Sequence, residues 1–141
     1  MNDIVVNKIK SIHLCVKRAR EEYQADSEGF DTDYTRQDAA ILNILRGCEQ
    51  AIDLANHIIK SFKMGIPLSS AESFELLASG RVIDKQLSDR LEKMVHFRNL
   101  VIHDYLRVNM DIVKAVIASG LDDLVLLGDS VMKFVMDAGR D

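Results

Sequence analysis

Residues 33–63 carry apolar side chains around most of the circumference of a helix. Ala39, Ala40, Ile41, Leu42, Ile44, Leu45, Cys48, Ile52, Leu54, Ala55, Ile58, Ile59 and Phe62 recur with helical period and without the alternation of a strand. A helix that is apolar on several sides has to be covered on several sides. This segment therefore predicts the central member of a helical bundle. Asp31, Thr32 or Asp33 can cap its start. Met64-Gly65-Ile66-Pro67 marks its end, with Gly65 expected at the left-handed C′ position and proline two residues on.

The segments around it follow the same period. Residues 3–25 read as an amphipathic helix, with Asn2 or Asp3 as cap. Ile4, Ile9, Ile12, Val16, Ala19 and Tyr23 form its apolar stripe, widened by Val5, Leu14 and Cys15. A polar turn is expected from Asp26 through Thr32. Ser70 to Leu77 predicts a short helix with serine caps, stopped by Gly80. Asp84 opens a helix over residues 84–104, with Leu87, Leu91, Met94, Val95, Leu100 and Val101 inward. Asn109 caps a helix running to Ser119, Gly120 is expected to break it, and a last helix spans residues 121–138. The chain contains a single proline and no strand pattern competes. The expectation is an all-α, up-and-down bundle of four main helices plus short ones, in one domain covering residues 1–141.

Composition narrows the function. Hydrophobic residues make up 48% of the 141, enough for a real core. The formal charge of −4 counts against a broad nucleic-acid-binding surface but leaves room for a small basic site. Cys15 and Cys48 sit in apolar helical patterns without metal-ligand spacing, and read as reduced core thiols. The start, Met1-Asn2-Asp3, has no basic region leading into an apolar one, and no apolar run approaches a membrane span. A cytoplasmic protein is expected.

Chemistry concentrates in Phe97-Arg98-Asn99-Leu100-Val101-Ile102-His103-Asp104-Tyr105, which reads R-x4-H-x-Y. Arginine offers a permanent cationic fork shaped for phosphate. Histidine moves a proton near neutral pH, and tyrosine adds a hydroxyl that donates, accepts or is modified. The set fits phosphodiester chemistry without metal or cofactor. On one continuous helix Arg98 and Tyr105 share a face, whereas His103 stands roughly 140° from Arg98. Two arrangements would bring them together. The helix can end near His103, or a second copy can supply the missing group across a two-fold axis. His96 shares a face with His103, but Asp104 and Asp111 do not complete a convincing metal set. Asp53, Asn56 and His57 are expected to support the motif helix by hydrogen bonds, and Arg46 and Glu49 to pair locally. No glycine-rich phosphate loop and no G-x-S-x-G elbow is present.

On these residues the chain resembles the HEPN superfamily, specifically the HepT toxins of HEPN/MNT toxin–antitoxin systems. Arg98, His103 and Tyr105 match the family's R-x4-6-H-x-Y signature. Met94-Val95-His96-Phe97-Arg98-Asn99 is similar to its apolar-Phe-Arg-Asn lead-in, and Ala51 to Ile59 to its second signature. Gly65-Ile66-Pro67, the following Phe-containing helix and Gly80 are similar to its connecting segment. The resemblance covers residues 4–137, and departs at His96, where the family more often has a small residue. It implies a HEPN-like bundle and a metal-independent endoribonuclease, the toxin of a type II system, acting as a homodimer with both motifs lining an interface cleft. Arg98 and His103 would be catalytic. Asn99, Tyr105, His96 and Arg107 would bind RNA, mRNA or tRNA, or support the site. The implied partner is an MNT-type nucleotidyltransferase antitoxin that transfers AMP onto Tyr105. The alternative is a non-catalytic HEPN subunit that binds a nucleotide or scaffolds such a nucleotidyltransferase.

Overall fold

The computed structural model describes residues 3–139, and within them every regular element is helical. Helix α1 spans Asp3–Gln24, α2 Tyr34–Ser61, α3 Ser70–Ser79, α4 Lys85–His103, α5 Met110–Ala115 and α6 Leu121–Asp137. Short 3₁₀ turns cover Phe30–Thr32 and Tyr105–Arg107. The Asn2 cap lies outside the described residues, and Asp3 sits in the first turn of α1.

Cross-helix contacts fix the direction of each helix. Lys8 meets Asp53 and Arg36 meets Glu22, so α1 and α2 run antiparallel. Arg90 meets Asp123 while Met94 lies against Gly120, and Arg98 meets Glu49 while Tyr105, just past α4, meets Asp38, so α4 runs antiparallel to both α6 and α2. Phe62, the C-cap of α2, packs edge-on against Phe134 of α6 with ring centroids 4.8 Å apart. The four long helices thus alternate up and down, as the breadth of the α2 apolar surface requires. Twelve residues of α2 are buried, from Gln37 to Ile59.

Helix starts lie close to where the sequence places them. Asp33, Ser69, Asp84 and Asn109 each accept a backbone N–H at an N-terminus, which satisfies an otherwise orphan donor. Helix ends differ. The C′ residue after α2 is Lys63 (φ 55°), and Gly65, two residues later, also has a positive φ of 114°. Met64 N–H reaches Ile59 O and Lys63 N–H reaches Lys60 O, the paired bonds of a Schellman cap. Arg81 (φ 62°) does the same after α3, with Val82 bonded to Leu77 and Arg81 to Ala78. Gly80 is the residue before it, and a Cβ there would lie 2.9 Å from the Met64 side chain.

Gly120 breaks nothing. Its φ −60° and ψ −36° are helical, and Met110 to Asp137 forms one continuous helix with a π-helical segment at Val116–Gly120. A widened turn frees carbonyls, and Arg20 of α1 donates to Ile117 O at 3.5 Å while its other edge holds Asp122 at 2.6 Å. A Cβ at 120 would sit 2.8 Å from Met94 Sδ of α4, so any larger residue would have to displace that flexible side chain.

The polar turn expected at residues 26–32 hides a core anchor. Phe30 is fully buried and packs edge-on against Tyr23 at 5.1 Å. Phe97 is buried as well, whereas Ile4, Leu14 and Leu42, expected inside, are exposed.

Candidate active site

Helix α4 ends at His103, the last residue of the R-x4-H spacing. Asp104 leaves helical geometry (φ −153°, ψ 61°) while its N–H still bonds Leu100 O at 2.8 Å. Tyr105 therefore lies on the turn after the helix and not on the helical face it would share with Arg98.

Arg98 is half-buried between α4 and α2. Its Nε donates to Glu49 Oε1 at 2.5 Å, and its Nη1 donates to Asn99 Oδ1 at 2.9 Å. Glu49 thus faces the motif and does not form the local pair expected with Arg46. A charge-assisted bond fixes the guanidinium from one edge. A phosphate entering this conformation would meet the Nη edge, because Nε is already committed.

His103 and His96 are both exposed on α4. Arg107 is exposed and lies 3.5 Å from Asp104 Oδ2. Tyr105 reaches away from Arg98, and its hydroxyl donates to Asp38 Oδ1 on α2. Partial burial, then this bond and the Asp38 charge, push the phenol up to about 12.

Two of the supports expected from α2, Asp53 and Asn56, face elsewhere. Asp53 pairs with Lys8 of α1 at 3.4 Å, and Asn56 Oδ1 accepts from Ser73 Oγ of α3 at 2.6 Å. These residues brace α1 and α3, not the motif helix. Among the described residues no group of three or more His, Cys, Asp or Glu side chains is placed to hold a metal, and no helix is long and apolar enough to cross a membrane. Cys48 is buried and pushed up to about 12 by desolvation, as befits a core thiol; Cys15 is half-buried and raised by the same cause.

Asp38 escapes the sequence reading, and Glu49 figures in it only as a partner of Arg46. They are eleven residues apart, three turns of α2, and so share one face. That acidic spacing was visible. Its direction toward α4 was not.

The chain matches the family model described as "Ribonuclease HepT-like" over residues 12–127. It is 49% identical over 123 residues to the mRNA nuclease HepT of Shewanella oneidensis, covering 87% of this chain and 92% of that protein. A structure of the tri-AMPylated Shewanella oneidensis HEPN toxin in complex with MNT antitoxin superposes with a TM-score of 0.89 at 46% identity, covering 94% of this chain and 99% of that one. A toxin–antitoxin structure with AMP-PNP gives 0.89 at 45% identity, with the same coverage.

Proposed function

The chain belongs to the ribonuclease HepT-like family, and from that premise we propose that it is the endoribonuclease toxin of a type II toxin–antitoxin pair. Its active unit is one HEPN-like domain over residues 1–141, acting in the cytoplasm as a homodimer. The observation that carries the reading is the Arg98 guanidinium, clamped by Glu49 and Asn99 a little over one helical turn before the exposed His103. A fixed phosphate fork close to a solvent-facing imidazole is what metal-free RNA cleavage needs.

In the proposed reaction the ribose 2′-oxygen attacks the adjacent phosphorus. The 2′-O–P bond forms and the P–O5′ bond breaks. The products are a 2′,3′-cyclic phosphate and a 5′-hydroxyl. One proton leaves the 2′-hydroxyl and one reaches the departing 5′-oxygen. His103 serves these transfers, and in a dimer two copies divide the base and acid roles. Arg98 stabilises charge on the non-bridging oxygens. Asn99 orients Arg98, while Tyr105, His96 and Arg107 contact the strand.

The homodimer is supported by apolar residues left outside around this end of the bundle. Leu106, beside Tyr105, is 96% exposed, and Leu42 and Ile102 are exposed near Asp38 and His103. Solvated apolar side chains grouped around a polar site suit an interface. The partner is an MNT-type nucleotidyltransferase, as in the complexes of the relatives. We assign Tyr105 as the acceptor of AMP, which adds charge and bulk where RNA must sit.

Purified protein incubated with RNA in excess EDTA tests this directly. Cleavage with cyclic-phosphate ends is expected, and His103→Ala should slow it by about 10²-fold or more. Equal rates for the variant and the parent protein would remove His103 from the mechanism.

A further inference from the structure

The contact between Tyr105 and Asp38 is not accounted for by RNA cleavage. It joins the turn after α4 to the first third of α2, and it is made at the oxygen that would accept AMP. We infer that Asp38 is the general base that takes the Tyr105 proton when that oxygen is adenylylated, so that the toxin carries part of the machinery of its own inactivation. This rests on the reading of Tyr105 as the modified residue.

The chemistry requires such a group. In adenylyl transfer the Tyr105 Oη–Pα bond forms and the bond from Pα to the β-phosphate oxygen breaks. Pyrophosphate leaves with the electron pair of that bond, and the hydroxyl proton must go to a base. The nucleoside triphosphate is brought by the nucleotidyltransferase. A phenol held up near 12 supplies very little phenolate at neutral pH, so attack and proton loss have to be coupled. Asp38 already accepts the hydroxyl hydrogen and needs no rearrangement to receive the proton. The charge that raises Tyr105 comes from Asp38, and the titratable neighbours on its own segment are otherwise placed. Asp104 is turned toward Arg107, and His103 ends the preceding helix. Across the contact, on α2, Asp38 is the carboxylate that meets the hydroxyl.

The arrangement leaves the acceptor poised. Tyr105 remains exposed, so a partner's bound nucleotide can reach its oxygen, while the carboxylate approaches from the α2 side. A tyrosine without such a neighbour would depend wholly on a base from the partner.

The test uses the full-length protein, its cognate nucleotidyltransferase and ATP, with AMP on the toxin measured by intact mass and peptide mapping. The parent protein should gain AMP at Tyr105, and Tyr105→Phe should gain none there. Asp38→Asn keeps size and a hydrogen-bond acceptor but cannot take a proton. It should slow modification by about 10²-fold or more, and Asp38→Glu should restore most of the rate. The ratio of parent to Asp38→Asn rates should narrow by about tenfold per pH unit between pH 7 and 9, because phenolate then forms without help. An unchanged Asp38→Asn rate with AMP still on Tyr105 would overturn the base and leave the reading of Tyr105 intact. A slow Asp38→Asn with a flat ratio and no rescue by glutamate would make Asp38 a positioning residue and overturn the inference equally. A parent protein that gains no AMP at Tyr105 would remove both.

Discussion

At the scale of residues, Glu49 bears on both the aim of Arg98 and the charge around it. The carboxylate holds Nε at 2.5 Å, and in the proposed site the Nη edge of the guanidinium would be left for an incoming phosphate. The same carboxylate is an anion close to where an RNA phosphate must bind. The two effects oppose each other and fall on different kinetic constants. Glu49→Ala should lower kcat about tenfold, or roughly 1.4 kcal/mol of transition-state stabilisation, by releasing the guanidinium. It should leave KM for RNA equal or lower, because a repelling charge is gone. Stability should move by less than about 1 kcal/mol, since the pair is partly solvated. Steady-state cleavage of a short RNA together with thermal melting separates these effects. An unchanged kcat would show that Arg98 needs no aiming.

At the scale of elements, what the sequence declares and what it hides divide along a physical line. Starts of helices are local events: Asp33, Ser69, Asp84 and Asn109 cap residues two or three positions away, and each was legible. Ends were displaced by a residue or two or misread outright. Gly120 lies against Met94 inside a continuous helix, and the C′ positions after α2 and α3 fall to Lys63 and Arg81, with Gly65 at positive φ further on. The motif Arg98-x4-His103 was visible as spacing, but its partners Glu49 and Asp38 come from 49 and 67 residues away. No local pattern encodes which face of α2 meets α4. The α3–α4 contact shows the same dependence on tertiary approach. Glu75 of α3 meets Glu92 of α4, and the Glu92 carboxyl is raised by burial first, then by the hydrogen bond and charge of Glu75. A carboxyl raised in the folded state binds its proton more tightly there than in the unfolded chain. Its contribution to stability is therefore present at low pH and lost as pH rises through the raised value. Glu92→Gln removes the repulsion. It should raise the melting temperature at pH 7, by a few tenths of a kcal/mol in stability terms, and the difference from the parent protein should shrink toward pH 4. Melting curves across that range check the sign, and a lower melting temperature at pH 7 would refute it.

For the whole molecule, an acidic chain has to bind RNA at one place, and the site proposed above lies at an end of the bundle where apolar side chains are also left in water. A net charge of −4 offers little general attraction to phosphate, so affinity must come from a few cations supplied twice. In the proposed homodimer a two-fold axis through the motif end would do this, doubling Arg98 and Arg107 while covering Leu42, Ile102 and Leu106. It would also provide the second His103 that a single α4 cannot, because one imidazole cannot stand on both sides of a phosphate in line. Leu106→Glu tests the arrangement without touching a polar member of the site. At 96% exposure this change should cost the isolated protomer within about 0.5 kcal/mol, so the helical signal and folding should persist. In a dimer it would bury an unpaired carboxylate against its own copy. Light scattering should then fall from twice to once the 15.9 kDa chain mass, and RNA cleavage should fall by 10²-fold or more with it. A variant that stays dimeric and active would place the interface elsewhere. One that becomes monomeric and still cuts at the parental rate would show that each chain holds a complete site, and His103 would have to serve as acid and base in turn.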